Sequence, residues 1–271
     1  MFALGLLAFW AVIPNWHPWG WWARGLALGL LALAAILHAW GAWLLWAAGH
    51  ITPARAFSWV EPGIMAVLGL AALLATAYAA GVRVPATGVS LEFPLRGEWY
   101  VAHGGSTVLT NHHHVAVSQR YALDLIQLGA DGRSYKGNCR DVTSYYAWDS
   151  PVYAPIGGKA IAVVEGLPDQ PIGATDPANP AGNHVVLETP EGVHIWLAHL
   201  RQGSFVVKVG ESIHTGQLIG RVGNSGNSTE PHLHIHAEIS RDSVRVGIPI
   251  LFTSLDRGPS YPRRGQLLSR R

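Results

Sequence analysis

The hydrophobic pattern divides the chain into two unlike parts. Residues 1–82 are almost continuously apolar, rich in Leu, Ala and Trp. Gly25 to Ala48 reads GLALGLLALAAILHAWGAWLLWAA, with no formal charge and one internal histidine, His38. At about 1.5 Å per residue, a helix of that length crosses a hydrocarbon core of roughly 30 Å. Gly63 to Gly81 is a second run of this kind. Met1 to Ile13 is shorter; it either spans together with Trp16–Trp22 or lies at the interface, where Trp16, Trp19, Trp21 and Trp22 are well suited. The pattern predicts two or three transmembrane helices over residues 1–82. No basic segment precedes the first apolar run and further runs follow it, which argues against a cleaved signal peptide.

Residues 83–95, which include Pro85 and Pro94, read as a linker, and 96–271 as a second domain. There the period changes from helical to alternating. Short apolar runs at 98–101 and 121–125, then PVYAPIGGKAIAVVEG, predict strands. HVVLE and VHIWLAHL flank Thr189-Pro190-Glu191-Gly192, the pattern of a hairpin. Residues 130–150 are polar and turn-rich and read as an inserted loop. The predicted fold is N-terminal transmembrane α-helices followed by an all-β, antiparallel domain. The basic run PRRGQLLSRR at the end reads as a solvated tail.

Composition adds limits. The formal charge is +2, so charge gives no reason to expect a nucleic-acid partner. A single cysteine, Cys139, excludes an intrachain disulfide framework. Arg24 and Arg55 lie in successive loops between the apolar runs and oppose each other, so the positive-inside rule does not fix the orientation.

The chemistry concentrates in Gly223 to Ile239, GNSGNSTEPHLHIHAEI. A Gly/Asn/Ser loop ends at Pro231, and HLHIHAEI then alternates as a strand does. His232, His234 and His236 share one face, and Leu233, Ile235 and Ala237 the other. Imidazoles side by side on a rigid strand suit a metal site. Upstream, Asp124 stands alone in the apolar run YALDL and needs a partner, either a cation or an arginine. His103, His184, His194 and His214 read as structural or solvent-facing. Asn183 either lines a groove or ends a turn.

These residues carry a resemblance. Asp124, PVYAP, GNHVVL, LAHL and GESIHTGQLIGRVGNSGNSTEPHLH are similar, in this order, to the LytM/lysostaphin-type zinc metallopeptidases, the M23 peptidase family. The resemblance implies a Zn2+ cofactor, peptide bonds of bacterial peptidoglycan cross-links as substrate, and a metallopeptidase fold for the β-domain. It implies Asp124 and His234 as metal ligands, with His199 and His232 as catalytic histidines. The remaining ligand is an upstream histidine. The common HxxxD spacing is broken, since Arg120 stands four residues before Asp124. The ligand then comes from His112, His113 or His114, and the Asn-x-His pattern of a related branch selects His113. On a regular strand His112 and His114 face away from His113. Glu230 stands where glycine is usual.

Two functional classes follow. One is a membrane-tethered zinc endopeptidase in contact with membrane lipid, its domain on the extracytoplasmic side where wall peptides lie. The other is a non-catalytic relative that binds wall peptides or activates another hydrolase. The presence of Asp124, His199, His232 and His234 favours the enzyme.

Overall fold

The computed structural model describes residues 40–41, 43–49, 88–108 and 110–270. The predicted membrane spans fall almost wholly outside these residues. Among the described residues no helix is long and apolar enough to cross a membrane. Contacts group the chain into two units, Met1–Gly81 with Asp131–Arg133, and Val82–Ala130 with Ser134–Arg271.

The second unit is built from strands. They are β1 (Val89–Leu91), β2 (Glu98–His103), β3 (Leu123–Ile126), β4 (Pro151–Tyr153), β5 (Gly158–Val164), β6 (Asn183–Glu188) and β7 (His194–Leu200). After them come β8 (Ser212–Ile213), β9 (Leu218–Arg221), β10 (Leu233–Arg241), β11 (Val244–Ile248), β12 (Ile250–Phe252) and β13 (Leu267–Ser269). Nine of these form one sheet in the order β13-β2-β3-β10-β7-β6-β5-β8, with β11 also on β10. Every pairing in it is antiparallel. β4 pairs with β9, and β1 runs parallel to β12. The antiparallel β-rich domain is therefore as the alternation predicted.

β10 is central because its alternation is the cleanest in the chain. Leu233, Ile235 and Ala237 are at most 1% exposed and pack with Leu125, Leu187, Ile195 and Leu197 of the neighbouring strands. Burying each large aliphatic side chain is worth about 1.5–3 kcal/mol. A one-residue slip of β10 would turn those three outward and the histidines inward, so its register is strongly fixed.

Three segments differ from the sequence reading. Residues 88–95, read as linker, include β1, and Leu91, Phe93 and Leu95 are in the core. The C-terminal run, read as a solvated tail, holds β13, which pairs with β2 and buries Leu268. His112 to His114 are not on a strand. They lie in a 3-10 turn, His112–Val115, so the strand-face rule does not apply to them.

Candidate metal centre

The sheet register brings the site together. His234 on β10 pairs directly with Asp124 on β3, and His103 on β2 sits opposite the same aspartate across an irregularity in that ladder. Asp124 is buried among these strands on the face opposite Leu123 and Leu125. His234 Nδ1 lies 3.0 Å from Asp124 Oδ1.

His113 arrives from a loop shaped by Asn111. This side chain is fully buried, and its Oδ1 accepts from the His113 backbone N–H at 3.1 Å, capping the 3-10 turn. Its Nδ2 donates toward the carbonyls of Gly105, Arg120 and Ala122 at 3.2, 3.3 and 3.0 Å. One amide thus ties both ends of the loop to its middle. His113 Nε2 then lies 2.9 Å from Asp124 Oδ2. Ligand atoms of His113, Asp124 and His234 all fall within 4.8 Å of one another. His114 does not join them; its Nδ1 lies 3.2 Å from the Arg120 carbonyl.

His199 and His232 stand at the edge of this cluster, with ring centroids 4.7 Å apart. His199 Nδ1–H donates to the Ser225 carbonyl at 2.9 Å, and His232 Nδ1–H to the Glu230 carbonyl at 2.8 Å. In the neutral form of either ring, a proton on Nδ1 leaves the lone pair on Nε2. The Nε2 of His232 is 3.6 Å from Asp124 Oδ1. His199 has a left-handed backbone, φ 60°. That conformation is uncommon for a non-glycine residue, and such strain gathers at functional sites. Hydrogen bonds from His199 N to Ala181 O and from Gly223 N to His199 O hold it there. The supporting loops approach closely. A Cβ on Gly182 would meet the Ser225 carbonyl at 2.4 Å, and one on Gly226 would meet Gly182 N at 2.4 Å.

The electrostatics suit a cation. Burial alone would raise the Asp124 carboxyl, but His113, His232 and the hydrogen bonds from His113 and His234 hold it well below the usual range. Burial pushes the pKa of His234 down to about 4, so this ring is neutral near pH 7. Burial, with His232 and His234 beside it, pushes His199 well down too. For His113 burial acts downward, but the charge and hydrogen bond of Asp124 raise it overall. In the metal-free protein a proton on His113 does what a bound cation would do: it compensates a buried carboxylate. Two imidazoles and one carboxylate aimed at one point form a donor set that fits zinc.

The structure thus brings His113, Asp124, His199, His232 and His234 together. It also adds a residue that the sequence reading set aside. His103, read as structural or solvent-facing, has its ring 4.2 Å from that of His112, and His103, His112 and Asp124 form a second convergent group. Nothing in the local sequence marks His103, which reaches the site only through the β2–β3 register. Asn183 is fully buried; its side chain bonds the Leu167 N–H and the carbonyls of Leu167 and Leu200. Its place is in the framework between β6 and β7. Glu230 accepts from Ser134 Oγ at 2.7 Å, which fastens the inserted loop to the loop before β10.

The β-sheet domain thus gathers an Asp/His/His set that could hold a metal ion, with two further histidines at its rim. Residues 143–246 match the family described as Peptidase family M23, in agreement with the sequence resemblance. That match includes His199, His232 and His234, and begins after His113 and Asp124. Among curated proteins, the glycyl-glycine endopeptidase ALE-1 of Staphylococcus capitis is 48% identical over 74 residues, 26% of this chain and 20% of that protein. Lysostaphin of Staphylococcus simulans is 42% identical over 60 residues, 22% of this chain and 12% of that protein. The similar stretch is therefore a small part of each relative's length. Among solved structures, the catalytic domain of lysostaphin from S. simulans aligns with TM-score 0.32 and 20% identity, over 56% of this chain and 88% of that one. A lytM protein from Ruminococcus gnavus, described as a candidate glycyl-glycine endopeptidase, aligns with TM-score 0.34 and 16% identity, over 73% of this chain and 69% of that one. At these TM-scores the structural likeness carries no argument.

Proposed function

We propose that this chain is a zinc-dependent endopeptidase that cuts peptide cross-links of bacterial peptidoglycan. The observation that carries this reading is the convergence of His113, Asp124 and His234 within 4.8 Å, on a domain that matches a peptidase family. Zinc held by these three donors would supply Lewis acidity toward a water and a peptide carbonyl. The remaining work belongs to the chain's own groups. His199 and His232 each turn Nδ1 toward a backbone carbonyl, so in the neutral ring Nε2 is the basic nitrogen. Such a nitrogen accepts the proton of an attacking water and returns it to the leaving amine. Two imidazoles with ring centroids 4.7 Å apart can divide these tasks between them.

The membrane reading follows from the same substrate. Residues 1–82 carry the apolar runs, and the described residues Trp40, Trp43, Leu44, Leu45 and Trp46 are exposed. We place the domain on the extracytoplasmic face because cross-links lie beyond the membrane. Labelling of a cysteine placed in loop 167–182, after Cys139 is replaced, tests this in intact spheroplasts. Labelling only after lysis would put the domain on the wrong side.

The activity test uses purified peptidoglycan and oligoglycine-bridged wall peptides, with products read by mass spectrometry. New amino termini from the wild-type chain, and none from Asp124→Ala, are expected. Binding of wall peptides without cleavage at any zinc concentration would favour the non-catalytic relative and refute the enzyme.

A further inference from the structure

The third histidine of the β10 alternation, His236, is not among the cluster's donors, yet it touches one of them. His234 turns Nδ1 toward Asp124, and its Nε2 lies 3.0 Å from His236 Nδ1. An imidazole that ligates through one nitrogen carries its proton on the other, and that N–H needs an acceptor. His236 Nδ1 serves as the acceptor only if the His236 proton sits on Nε2. The group facing His236 Nε2 is Glu238 Oε2, 4.0 Å away.

Glu238 is itself fixed. It is 5% exposed and accepts the Trp196 indole N–H at 3.1 Å. His194 Nδ1 lies 4.0 Å and Arg245 Nε 3.9 Å from its Oε1. The indole of Trp196 also stacks on His236, with centroids 5.4 Å apart and planes at 12°. These contacts follow from register: His236 pairs with Trp196, and Glu238 with His194, across β10 and β7. A carboxylate buried this deeply needs such partners; they lie at its Oε1, and its Oε2 faces His236.

We propose that His236 is a positioning residue for the metal centre: once His234 ligates through Nδ1, His236 Nδ1 accepts its Nε2–H and so holds that tautomer, with Glu238 and Trp196 beside His236. The inference rests on the zinc reading above and adds to it the residue that orients the ligand.

Two substitutions separate positioning from packing. His236→Phe keeps a flat ring on Trp196 and removes the acceptor. His236→Asn gives up the ring and keeps a polar atom near the place of Nδ1. Zinc affinity of the full-length chain, measured by chelator competition, should fall roughly 10–100-fold in His236→Phe, as for other outer partners of metal ligands. It should stay near wild type in His236→Asn. Nitrogen-15 NMR of the zinc-loaded wild type should show the His234 proton on Nε2 and the His236 proton on Nε2. Unchanged affinity in His236→Phe, or equal losses in both variants, would overturn the proposal, as would a His234 proton on Nδ1. A wild-type chain that binds no zinc would overturn the metal reading itself, a pattern distinct from these.

Discussion

Replacing Asn111 by alanine tests how the site's most loop-dependent ligand is held. The substitution removes the Oδ1 that caps the His113 N–H and the Nδ2 shared by three carbonyls. An amide carries only two N–H hydrogens, so those three acceptors divide two full bonds. About three bonds are lost in all, at roughly 1 kcal/mol net apiece, and carbonyls left dry add more. The expected destabilisation is about 2–4 kcal/mol. With a urea slope of about 2 kcal/mol per M, the midpoint drops by about 1–2 M. Pulse proteolysis in urea reads this in the full chain, and chelator competition should show zinc affinity falling at least about tenfold. Asn111→Asp keeps the cap and loses the donors, and should be as unstable as the alanine variant or more so. An aspartate variant as stable as wild type would show that the three carbonyl contacts hold nothing and refute the reasoning.

Other outcomes follow from the same geometry. His199→Ala and His232→Ala should retain zinc and lose about 10²–10⁴-fold in turnover, the usual share of a general acid–base group; near-normal cleavage by either would remove that residue from the mechanism. The metal-free domain should lose stability as pH falls. His234 and His103 have folded pKa values lowered from 6.5 to about 4 and about 3, so in that window the unfolded chain binds more protons. His113, raised by Asp124, acts the other way: its contribution is present below 6.5 and lost as pH rises through its higher folded value. The several buried, lowered imidazoles outweigh it, and a melting temperature that rises from pH 6.5 to 4 would contradict this balance.

The parts of the site that were legible in the sequence are those set by local period. HLHIHAEI alternates, so the burial of Leu233, Ile235 and Ala237 and the shared face of His234 and His236 follow from the strand itself. Asp124 stood out as a lone carboxylate in an apolar run. Leu91, Phe93 and Leu95 alternate as well, but prolines at 85 and 94 masked the pattern and the stretch read as linker. His113 was named through resemblance alone, because its place depends on Asn111 reaching residues 105, 120 and 122. The same holds for His103 and for the contacts around Glu238, which exist only once β2 meets β3 and β10 meets β7. Period tells which face a side chain occupies; only register tells what it meets there.

The most direct test of the central claim is an anomalous difference map at the zinc edge from crystals grown with stoichiometric zinc. The account predicts a strong peak bounded by His113 Nε2, an Asp124 oxygen and His234 Nδ1, about 2.0–2.2 Å from each. A peak between His103 and His112 with none at His234, or no peak on the domain, would contradict it.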